Sequence, residues 1–94
     1  MKQYLPIGSV VLLKDAEKRI MIVGYGLKQA NSEKVWDYGA VLFPEGLHST
    51  ENLFLFDEGQ IDNLIHVGHQ DTENTVLFAS FPQGTAVQIG QGKV

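Results

Sequence analysis

Five short apolar runs, each closed by a polar or Gly/Pro-bearing turn, constrain this chain more than any other feature. "SVVLL", "IMIV", "WDYGAVLF", "LFLF" and "IDNLIHV" are too short and too β-branched or aromatic for independent helices, and strands suit them. The two-residue strand period then sorts their side chains. In "KRIMIVGYG", Ile20 and Ile22 share one face, and Met21, Val23 and Tyr25 share the other. In "VWDYGAVLF", Trp36, Tyr38, Ala40 and Leu42 oppose Val35, Gly39, Val41 and Phe43. The turn Asp15-Ala16-Glu17-Lys18 joins the first two runs as a hairpin. Gly24 and Gly26 loosen the chain ahead of the polar loop "LKQANSEK", and Gly39 fits a bend or bulge where a small sheet curls. Pro44 ends the third strand, and "EGLHSTEN" is a loop. "DEGQ" then turns "LFLF" into the fifth strand, which is expected to point Ile61, Ile65 and Val67 inward and Asp62, Leu64 and His66 outward.

The period changes in "DTENTVLFASFP". Asp71 or Thr72 can cap a helix, Glu73 lies in its first turn, and Leu77, Phe78 and Phe81 recur at helical spacing before Pro82. A strand is the competing reading of "TVLFASF". The fold class expected is mostly β (α+β): a small curled five-stranded SH3-like antiparallel sheet with one C-terminal helix over its open end. Residues 1–82 form a single globular domain. Residues 83–94 form a Gly-rich tail in which only "AVQI" can pair, as a weak edge strand.

Composition removes several function classes. At 94 residues there is room for one core and no separate catalytic and regulatory domains. Eleven acidic against seven basic side chains give a net charge of −4, so a phosphate backbone finds little to neutralise and nucleic acid is a poor partner. No cysteine is present, which removes disulfides, thiolate nucleophiles and sulfur-ligated zinc and fits the cytoplasm. The opening "MKQYLPIGSVVLLKDAEKR" interrupts its apolar run with Pro and Gly and follows it with charge. It reads as a strand, and it is neither a secretory signal nor a membrane span.

No pattern in the sequence demands an enzyme or a cofactor. "HVGHQD" offers His66, His69 and Asp71 as metal or small-ligand donors, with His48 able to approach from a loop. On a strand, however, histidines three apart face opposite ways and need a turn at Gly68 to converge. Asp57 and Glu58 in "FDEG", and Glu45 in "FPEG", read as solvated turn acids rather than a catalytic pair. "GYG" lacks the strand-to-helix context of a phosphate loop. Ser9, Ser32, Ser49, Thr50 and Ser80 carry no hydrolase signature.

The aromatic set Tyr4, Tyr25, Trp36, Tyr38, Phe43, Phe54, Phe56, Phe78 and Phe81 must fill most of the core. Both faces of several strands are nonetheless apolar, so either the helix or a partner covers the second one. The ordered blocks "YLPIGSVVLLK", "KRIMIVGYG", "WDYGAVLFPEG", "LFLFDEGQID" and "IHVGHQDTEN" resemble the domain-of-unknown-function family 4176. Its members are commonly encoded beside toxins with a Leu-Xaa-Gly-type targeting domain in type VII secretion loci. The resemblance implies a cytoplasmic, non-enzymatic accessory that binds a protein client: a chaperone or adaptor for such a toxin, or an immunity protein that neutralises it. It transfers no active site. The loop "FPEGLHSTEN" and the rings preceding it place the expected client contact at Trp36, Tyr38, Glu45, Leu47 and His48. The competing reading makes Trp36 a core anchor. The resemblance leaves the oligomeric state open.

Overall fold

The computed structural model describes residues 4–49, 52–80 and 87–89. Its strands are β1 (Val10–Leu13), β2 (Ile20–Gln29), β3 (Trp36–Leu42), β4 (Phe54–Phe56), β5 (Ile61–His66) and β6 (Val87–Ile89), with helix α1 (Thr72–Ser80) between the last two. The first five strands form an open antiparallel sheet in the order β4-β3-β2-β1-β5. The mostly β architecture with one helix is the one the run spacing predicts.

β2 runs further than its glycines suggest, through Leu27 to Gln29. β1 pairs with its first residues at Ile20 and Met21, and β6 pairs in parallel with its last three, Leu27 to Gln29. Within the tail, Val87–Ile89 therefore does contribute a strand. A bulge lies in β2 and not at Gly39. Ile22 faces Ala40 and Gly24 faces Gly39, which leaves Val23 as the extra residue. One inserted residue inverts the alternation beyond it. Tyr25 consequently stands opposite Tyr38 and packs on the core with Ile20 and Ile22, on the face opposite to its expected one.

The core comprises Val11, Ile20, Ile22, Tyr38, Ala40 and Phe56, with Tyr4, Leu5, Leu13, Tyr25, Leu42 and Ile61 packed around it. Ile61 accordingly meets the expectation of an inward side chain. Ile65 and Val67 do not, being exposed. The reason is the pairing of β5 with β1. Val10 faces His66 while Val11 faces Leu64, and Leu12 faces Asn63 while Leu13 faces Ile61, so Ile65 and Asp62 are both bulged out of the ladder.

Asp57 introduces a turn of 3-10 helix at Glu58–Gln60, where the Gln60 Oε1 accepts the Asp57 N–H at 2.9 Å. Asp71 caps α1 by a reciprocal box. Its Oδ1 accepts the Asn74 N–H at 3.2 Å, and the Asn74 Oδ1 accepts the Asp71 N–H at 2.8 Å. Of the expected helix face, Phe78 is buried and Leu77 is exposed; Phe81 and Pro82 lie outside the described residues. No helix among the described residues is long and apolar enough to cross a membrane.

Two glycines are required for lack of a side chain. A Cβ at Gly39 would overlap the Leu27 Cδ1, the tip of a side chain that lies across both Gly24 and Gly39. A Cβ at Gly68 would overlap the Ile7 carbonyl oxygen, which is backbone and cannot rotate away. Gly59 has open space around it. In urea melts, Gly68→Ala is expected to cost more than about 2 kcal/mol, Gly39→Ala an intermediate amount and Gly59→Ala within about 0.5 kcal/mol of nothing. Equal losses at the three positions would contradict the packing described.

Candidate binding surface

The N-terminal segment is locked onto the sheet by two tyrosines. The Leu5 N–H donates to the Tyr38 hydroxyl at 3.0 Å, and the Tyr25 hydroxyl donates to the Leu5 carbonyl at 2.7 Å. The Tyr38 hydroxyl in turn donates to Glu58 Oε1 at 2.8 Å. Beside this chain, Asp37 and Asp57 exchange bonds between β3 and the 3-10 turn: the Glu58 N–H donates to Asp37 Oδ2 at 2.9 Å and the Asp37 N–H to Asp57 Oδ1 at 3.1 Å. Lys34 closes the cluster, with its Nζ 2.9 Å from Asp57 Oδ2 and 4.6 Å from the centre of the Trp36 ring. Among the described residues every buried side-chain polar atom has a partner.

The five expected contact residues are not brought together. Tyr38 has no exposed surface, its ring stacked on Phe56 at 5.3 Å, so it is a core residue and cannot meet a client. Trp36 is half-buried under Lys34 at one end of β3. Glu45, Leu47 and His48 are exposed in the loop beyond Leu42, at the opposite end of that strand, about 20 Å away at a strand's rise per residue. Glu45 pairs with Lys18 at 2.7 Å, and this bond holds its carboxyl below the ordinary carboxylate range. The Arg19 guanidinium lies 5.3 Å from the Phe43 ring, bracing the same loop.

The histidine region resolves into a cap. His69 Nε2 lies 3.0 Å from Asp71 Oδ2, and this contact lowers the Asp71 pKa. Both groups are exposed, and Asp71 is committed to the helix start. Among the described residues no three His, Cys, Asp or Glu side chains converge as a metal site, so neither His66 nor His48 joins the pair.

What the strand alternation hides is the outer edge. Leu64, Ile65 and Val67 on and after β5 are 42, 45 and 46 % exposed. Ile7 is likewise 47 % exposed, and its backbone carbonyl lies against Gly68 just beyond this strand. The neighbouring join is tight, with the Gly68 N–H donating to the buried Ser9 Oγ at 3.0 Å. The adjacent apolar pair Leu64-Ile65 was the available signal, since neighbours on a strand cannot both point inward.

Burial pushes the Tyr25 hydroxyl up to about 12 from an ordinary 10.0, while a backbone bond from Ile7 opposes that shift. Burial raises Tyr38 as well, aided by the bond and charge of Glu58. A phenol with a raised folded-state pKa binds its proton more tightly folded than unfolded, so stability is full below pH 10.0 and falls as pH climbs toward about 12. Tyr38→Phe strips the acceptor from Leu5 and the donor from Glu58. It is expected to cost about 1–3 kcal/mol at neutral pH and to flatten this alkaline decline, both measurable by thermal melts across the pH range. An unchanged melting temperature would remove the clamp from the account.

Residues 4–77 match the model of the family described as domain of unknown function (DUF4176). No curated protein and no solved structure matches the chain. The match takes in every strand of the antiparallel sheet and most of α1, so the chain belongs to that family of domains of unknown function.

Proposed function

We propose that this protein is a non-enzymatic cytoplasmic accessory that engages a protein client, a type VII secreted toxin, as its chaperone or adaptor. The observation that carries this reading is the patch of Leu64, Ile65 and Val67 with Ile7 on the outer edge of the sheet. Each of these aliphatic side chains forgoes burial worth about 25 cal/mol per Å². Three of them follow one another closely along and just beyond the edge strand, where a covering protein would bury them. Family membership supports the same direction through the toxin loci in which such chains are commonly found. The two bulges of β5 disfavour a straight added strand, so side chains rather than backbone bonds carry the contact. This patch replaces the expected site at Trp36 and Tyr38. Glu45, Leu47 and His48 remain accessible for a secondary contact. An immunity protein would use the same contact to block toxicity, and toxicity assays against export assays separate the two roles.

Co-expression with a type VII secreted toxin carrying a Leu-Xaa-Gly-type targeting domain, taken from a locus that encodes this family, should give one co-migrating species in size-exclusion chromatography. The pair Leu64→Ser and Ile65→Asp should keep the β-sheet circular dichroism and weaken the complex at least about tenfold, as loss of central apolar anchors does. A solitary monomer that leaves toxin stability, export and toxicity unchanged would overturn the reading.

A further inference from the structure

The two outer strands of the antiparallel sheet are guarded to different degrees. β5 is bulged against β1 and carries Asp62, whereas β4 pairs with β3 residue for residue, Phe54 with Ala40, Leu55 with Gly39 and Phe56 with Tyr38. Among the described residues no strand lies beyond β4. It contains no charge, no proline and no bulge, the devices that keep an edge from pairing. The acids that follow do not guard it either. Asp57 accepts the Asp37 N–H and pairs with Lys34, and Glu58 accepts the Tyr38 hydroxyl, so both carboxylates are committed to β3 and the loop before it. Phe54 and Phe56 share a face of the sheet, yet Phe56 is 1 % exposed and Phe54 40 %.

We infer that the β4 edge is occupied by β4 of a second copy of this chain, in an antiparallel pair with Leu55 on the twofold axis. The occupant follows from the strand's own sequence. Phe54-Leu55-Phe56 reads the same in both directions, so antiparallel pairing about Leu55 sets Phe54 opposite Phe56 of the partner subunit and Leu55 opposite its own counterpart. An axis normal to the sheet keeps each face on its own side, which joins the aromatics on the core face and the leucines on the other. The exposed Phe54 ring then gains an aromatic neighbour across the edge. Asp57 falls opposite an apolar residue, Leu53, so no like charges meet beside the strand. Three paired residues bury little surface, and the dimer is accordingly transient and driven by concentration. β4 and β5 are opposite edges of the sheet, so this contact is independent of the client reading above and each can fail alone.

Full-length protein followed by analytical ultracentrifugation from about 10 to about 1,000 μM should pass from monomer toward dimer. Leu55→Lys places like charges on the axis and should weaken association at least about tenfold, as should Leu55→Glu. An equimolar mixture of these two variants should associate at least about tenfold more tightly than either alone, because opposite charges meet only where residue 55 faces its counterpart. Leu64→Ser with Ile65→Asp should leave the dimer unchanged. If the variants at Leu55 do not fold, Phe54→Glu alters an exposed ring instead and should weaken association at least about fivefold while the β-sheet circular dichroism is retained. A monomer at every concentration, a dimer indifferent to charge at both Phe54 and Leu55, a mixture no tighter than its components, or a dimer lost through the β5 substitutions would overturn the inference.

Discussion

The aromatic ring of Tyr38 is the member on which the other parts of this fold depend. It lies in the middle strand pair, buried completely, opposite Tyr25 on one side and Phe56 on the other. A phenol buried there must satisfy its hydroxyl, because an unpaired one costs a few kcal/mol. It does so with two groups that no strand pairing would otherwise join, the Leu5 N–H and the Glu58 carboxylate. One side chain thus fastens the N-terminal segment and the 3-10 turn to the same point of the sheet. The Tyr4 ring is then delivered to Tyr25 and Phe78, and the turn is set for β5 to begin. Burial of the ring provides the driving force, and the hydroxyl selects one arrangement among the many that would bury it equally well.

The strands were legible because each is a run of β-branched or aromatic residues ended by a turn residue, a signal that is local. Helix α1 was legible for the same reason, through Asp71 and the spacing of Phe78. The bulge at Val23 was not. Nothing in "IMIVGYG" distinguishes an inserted residue from a regular one, since Val23 and Gly24 can each occupy either place, and the choice is made by how β3 pairs alongside. The misplaced face of Tyr25 follows from that single ambiguity. The role of Gly39 was misread through the same gap in information: its neighbour in space is Leu27, twelve positions earlier, and strand periodicity carries no such distance.

The candidate site was less legible than the fold, for a related reason. Trp36 and Tyr38 share a strand face and Glu45, Leu47 and His48 share a loop, so adjacency in sequence invites grouping them. A strand of β3's length separates its ends by most of the width of the molecule, and burial divides even the two rings from each other. In β5 the alternation failed visibly at Leu64-Ile65. An apolar doublet can mark a strand buried on both sides or a bulged edge, and only the partner strand decides between them.

That edge explains how an apolar surface can persist in a protein that must not aggregate. A flat edge strand offers an unbroken row of donors and acceptors to any extended chain. β5 offers an interrupted one, since Ile65 and Asp62 each break its register with β1, and Asp62 places a charge within the strand. The same bulge that spoils the backbone template turns Ile65 outward beside Leu64. What this edge offers is therefore side chains rather than main chain, groups that few proteins present in that arrangement in place of groups that every protein has. The client proposed above would have to match the spacing of Leu64, Ile65 and Val67 to gain from them, a demand that an arbitrary extended strand does not meet.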